Sequence, residues 1–125
     1  MELDDIQKIL TDLSTRFDLI NTAKMSCEVI IIDLVQKGED KIGGFEPSEL
    51  IYEFKSQKFV FNYYLREEPF ISTEIGIYIK DPENIWYRGL EPVGTYELET
   101  NLEGEHVDDW LLFEKSKDRG KGRLV

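Results

Sequence analysis

The chain has 125 residues and a mass of 14.7 kDa, a length that supports one hydrophobic core without disulfides or a structural metal. Its 41% apolar and 12% aromatic content excludes general disorder, and no apolar run approaches the ~20 residues of a membrane span. The formal charge of −11 is segregated, with −6 in residues 1–80, −9 in residues 81–114 and +4 in the remainder, so the body of the chain disfavours nucleic acid and anionic lipid and favours basic partners. Met1 leads into an acidic amphipathic segment without the basic and apolar blocks of a secretory signal. Cys27 stands alone, which rules out an internal disulfide and a multi-cysteine zinc site. Its apolar neighbours suggest a reduced, buried thiol and a cytoplasmic protein.

Leu3, Ile6, Leu10, Leu13, Phe17 and Ile20 recur at steps of three and four, which predicts one amphipathic helix over residues 3–20, with Asp4 and Asp5 opposing its dipole. That helix is expected to lie over an aromatic sheet face and close the core. Cys27–Val35 is apolar on both parities from Val29 to Ile32 and reads as a central strand. Gln36–Pro47 has the glycines and charges of a long loop. Leu50–Leu65 reads as a β-hairpin with its loop at Lys55–Lys58, placing Phe54 opposite Phe59 and Tyr52 opposite Phe61.

After a break at Arg66–Phe70, Ser72–Lys80 alternates, with Thr73, Ile75, Ile77 and Ile79 on one face. Ile85–Arg88 suggests a short strand, and Thr95–Leu102 a half-buried one with Tyr96 and Leu98 inward and Glu97 and Glu99 outward. Asn101–Val107 is a hairpin connection centred on Gly104, and Asp109–Glu114 is a closing strand whose apolar run suggests burial on both faces. The predicted fold is therefore α+β: one N-terminal helix on a five- to six-stranded antiparallel meander. Residues 1–114 form its single domain, and residues 115–125 a basic, disordered tail.

Catalytic motifs are lacking. There is no phosphate-binding glycine pattern, and Cys27 and the lone His106 have no local motif joining them as nucleophile and base. Glu103, Glu105, His106, Asp108 and Asp109 offer oxygen and imidazole donors at a spacing diagnostic of no metal, so no metal or cofactor is expected. Glu97 and Glu99, joined by Glu53 or Glu74, share a face as acid/base carboxylates would, but a solvated outer face predicts the same alternation. Taken together, Glu97, Glu99, Glu103, Glu105, Asp108 and Asp109 beside Trp86, Tyr87 and Trp110 suggest an acidic, aromatic docking patch. The expected function is a non-catalytic binding protein, such as an immunity or inhibitor protein that sequesters a basic toxin or nuclease. A small hydrolase or isomerase with a helix–sheet pocket, using Glu, Tyr and His106, is one alternative, and a soluble bacterial domain with no catalytic role, acidic for solubility alone, is the other. Oligomeric state is not encoded in any motif.

Overall fold

A computed structural model describes residues 2–38 and 43–114. The order of elements is α1 (Leu3–Arg16), α2 (Leu19–Gln36), β1 (Ile51–Val60), β2 (Phe70–Lys80), β3 (Leu90–Thr100) and β4 (His106–Phe113), with single 3-10 turns before β1 and before β3. The strands form one antiparallel meander in sequence order, β1-β2-β3-β4. This is the α+β class the sequence implies, with two helices in place of one and four strands in place of five or six. The proposed basic tail, residues 115–125, lies outside the described residues, as do residues 39–42 of the long loop.

The first correction concerns the helices. The predicted 3–20 helix stops at Arg16 because Asp18 adopts a left-handed conformation, φ 49°, which Asp tolerates better than most residues. A second helix then runs through Cys27–Val35, the segment expected to be a central strand. Leu19, Ala23, Cys27 and Ile31, each four residues apart, make its buried stripe. Val29 and Ile32, which blurred that stripe in the sequence, face solvent. It is α2, not the first helix, that covers the sheet: Ala23, Cys27 and Ile31 meet Ile75, Ile77, Tyr96 and Leu98, with Phe45 and Leu50 closing the same cluster.

The second correction concerns residues 50–65. There is no hairpin loop at Lys55–Lys58; β1 passes straight through and pairs with β2 from Ile51↔Tyr78 to Val60↔Phe70, with a bulge between Phe54 and Ser56. Phe54 and Phe59 do share a face, but the extra residue in the strand puts them there, not a reversal of the chain. Residues 61–69, holding Phe61, Tyr63 and Tyr64, are the β1–β2 connection. Ser72–Lys80 behaves as expected: Thr73, Ile75 and Ile77 are buried and, with the half-buried Ile79, face α2. The expected strand at Ile85–Arg88 is instead part of a turn, with Arg88 at φ 59°. β4 is an edge strand whose exposure alternates, so its four apolar residues are not buried on both faces.

Candidate functional site

Strand alternation divides the sheet into an α2-covered face and an outer face over which no described helix lies. On the outer face the registers stack residues into cross-strand rows. Lys58, Ser72, Glu99 and Asp108 form one row; Ser56, Glu74, Glu97 and Trp110 form the next. Within these rows Glu74 stands directly opposite Glu97, and Glu99 directly opposite Asp108. Like charges facing each other across a ladder destabilise a sheet, so each pair calls for cations.

The cations come from β1 and from the β1–β2 connection. Arg66 Nη1 donates to Glu99 Oε1, and its Nη2 lies 3.5 Å from Asp108 Oδ2, so one guanidinium bridges the opposed pair. The same guanidinium sits 4.5 Å from the Phe70 ring centroid and 5.9 Å from that of Tyr63, which itself meets Phe70 edge-on. Glu99 is only 5% exposed, so this bridge keeps a buried carboxylate paired. Glu97 accepts a hydrogen bond from Ser72 Oγ and has Lys58 Nζ at 3.6 Å. Glu74 accepts from Ser56 Oγ at 3.0 Å, with Lys55 Nζ at 4.0 Å. The result is a concavity of about 450 Å³ floored by Ser72, Glu97 and Glu99 and walled by Arg66, Asp108 and Trp110.

Of the residues expected to form one acidic patch, this face gathers Glu97, Glu99, Asp108 and Trp110, with Glu74 beside them. The others are elsewhere. Asp109 is on the opposite face of β4, where its carboxylate accepts the Tyr96 hydroxyl at 2.6 Å and lies 3.3 Å from His106 Nε2. Glu103 and Glu105 belong to the β3–β4 turn, whose shape Asn101 fixes by accepting both of their backbone N–H groups at 2.9 Å. Trp86 and Tyr87 lie in the β2–β3 connection, at the other end of the sheet from that turn. Arg66 and Lys58 were missed as parts of the site. The signal available for Arg66 was an arginine beside Tyr63, Tyr64 and Phe70 in a break otherwise acidic.

The α2-covered side offers little to chemistry. Tyr96 is fully buried, and burial, reinforced by its hydrogen bond to Asp109, pushes its phenol well above the usual range, so it holds its proton. A second cleft, about 540 Å³, lies between α1 and β1 and is lined by Leu3, Ile6, Leu10, Phe54, Phe59 and Ile71, with no carboxylate or imidazole in its wall. Among the described residues no three His, Cys, Asp or Glu side chains converge as metal ligands. No helix among the described residues is long and apolar enough to cross a membrane. Comparison with known proteins gives no match: no family model, no curated protein and no solved structure aligns with this chain.

Proposed function

We propose that this is a non-catalytic, cytoplasmic binding protein whose outer sheet face docks a basic protein partner, as an immunity or inhibitor protein sequesters a cationic toxin or nuclease. The observation that supports the reading most directly is the Arg66 guanidinium seated between two opposed carboxylates and an aromatic ring. A groove that holds its own arginine in this way has the donors' complement for an arginine from elsewhere. Trp110 and Leu112, 46% and 56% exposed on the same face of β4, provide apolar contact area beside the charges. The only cation beside their neighbour Glu97 among the described residues is the exposed Lys58, a pairing worth little and easily exchanged, while Ser72 Oγ keeps the carboxylate in place.

The test is titration of the full chain with an oligoarginine peptide, read by calorimetry, against two site variants and one control. D108K and W110A are each expected to weaken binding at least tenfold. D12K, on the exposed side of α1, makes the same change in net charge and is expected to weaken binding far less. Equal losses in D108K and D12K would mean that net charge alone draws the peptide, and the assignment of the outer face would fall.

A further inference from the structure

We propose that β1 pairs edge to edge with β1 of a second copy of this chain, about a two-fold axis between Lys55 and Ser56, joining two sheets into one. Three features of the molecule lead there: the residue order of β1, its bulge, and the unfilled cleft beneath α1.

β1 is one of the two sheet edges, and it is ten residues long, IYEFKSQKFV. Laid antiparallel against itself about its centre, it brings Ile51 to Val60, Tyr52 to Phe59, Glu53 to Lys58 and Phe54 to Gln57. The first three matches, aliphatic, aromatic and opposite in charge, are of the kind that favours cross-strand pairing, and because the axis is two-fold, each occurs twice. In a regular strand this register is impossible, since residues 53 and 58 would point to opposite faces. The bulge removes the objection. With Lys55 as the extra residue, Tyr52, Phe54, Gln57 and Phe59 oppose Ile77, Ile75, Thr73 and Ile71 and share the α2 side; Glu53 and Lys58 share the outer side. Lys55 and Ser56 both reach Glu74, so both point outward at the axis, and 55 can oppose 56. A single extra residue at the centre of symmetry is what makes the strand self-complementary in face as well as in charge.

α1 supplies the independent observation. Its seam residues Leu3 and Ile6 are 77% and 42% exposed, although they point into the cleft against Phe54 and Phe59. A strand added beside β1 extends the sheet beneath that overhang and brings its half-exposed Phe54 beside Gln57, which lines the space of about 540 Å³. The other edge is a poorer competitor: β4, HVDDWLLF, contains Asp108 and Asp109 and no lysine or arginine, so no register of its self-pairing sets an acid against a lysine or arginine. Lysines on an edge normally discourage pairing, but in this register Lys58 meets an acid.

The experiment is sedimentation equilibrium of the full chain from micromolar to millimolar concentration. Wild type is expected as a reversible dimer of 14.7 kDa chains. E53K sets two lysines against each other at both symmetry-related positions, and K58E two glutamates, so each variant alone is expected to dimerise about tenfold more weakly or worse. Mixed in equal amounts, E53K and K58E restore both opposite-charge pairs across a heterodimer, which is expected to regain an affinity within about threefold of wild type. Circular dichroism confirms that each variant is folded. Wild type that stays monomeric at every concentration, variants that dimerise as wild type does, or a mixture no tighter than its components would each overturn the pairing. Because Lys58 also lies beside Glu97, the oligoarginine titration uses none of these variants and is run at a concentration where sedimentation shows the chain monomeric, so the two tests fail independently.

Discussion

Cys27 illustrates how completely α2 is sealed against the sheet. Burial first, and the charge of Glu28 second, push its thiol from the ordinary 9.0 to about 12. The unfolded thiol therefore loses its proton near pH 9, whereas the folded one keeps it until about 12. Between those values the unfolded chain binds fewer protons than the native one, so stability falls as pH rises. Tyr52 behaves alike from a higher start, rising from 10.0 to about 12 mainly through burial, and Tyr96 is pushed up further. The interval from about pH 9 to pH 10 thus belongs mainly to Cys27. Urea unfolding is expected to show wild type losing about 1 kcal/mol more than C27A across that interval, with Tyr52 and Tyr96 leaving C27A a shallower fall of the same sign and the cavity giving it a lower starting stability. An equal slope in both proteins would show that the thiol ionises as readily in the fold as outside it. The burial that holds the proton also makes Cys27 a poor nucleophile.

At the scale of elements, the β3–β4 turn and the α1–α2 break depend on each other through Gly104 and Phe17. Gly104 has φ +81°, and a Cβ there would lie 2.5 Å from Phe17 Cγ. G104A therefore combines a conformational cost with a collision, together about 2 kcal/mol or more. In an F17G background, which removes Phe17 Cβ (2.8 Å away) as well as its ring, the collision is gone and only the conformational cost of about 1 kcal/mol remains. Chemical denaturation of the four proteins of this cycle checks both values. Element identity was legible where pattern and environment agreed: Ser72–Lys80 alternates and forms a central strand with one face under α2, and Gly104 does centre the β3–β4 connection. It was illegible where surface residues were apolar. Val29, Ile32 and Val35 are exposed on α2, and their β-branched side chains filled in the gaps of a four-residue stripe until the segment looked like a strand. The polar Lys55–Lys58 between two runs of strand-type residues suggested a chain reversal, because a polar stretch within an exposed edge strand reads in sequence like a loop.

On the scale of the whole molecule, net charge by segment correctly located many acids but not their neighbours. Glu97, Glu99, Asp108 and Trp110 meet because alternate residues on adjacent strands share a face, a relation the sequence makes readable once the strands are assigned. Arg66 reaches them from a connection, and no local pattern specifies where a connection folds. The same geometry sets an order of local stability. β2 and β3 are paired on both sides and lie between α2 and the outer ion-pair rows, whereas α1 touches the rest mainly through its last turns, where Ser14 is buried and bonded to Gln57. In dilute solution, amide exchange is expected to be slowest in β2 and β3, slower in α2 than in α1, and fast in the first two turns of α1 and in residues 61–69. Concentration then separates the two edges. If the β1 edge meets a second copy, the outward-facing amides of Ile51–Val60 and the first turns of α1 gain protection together as concentration rises, while the free edge of His106–Phe113 does not. Protection of α1 equal to that of α2 at the lowest concentration would mean that the first helix is already seated in the monomer, so its exposed Leu3 and Ile6 need no second chain to cover them.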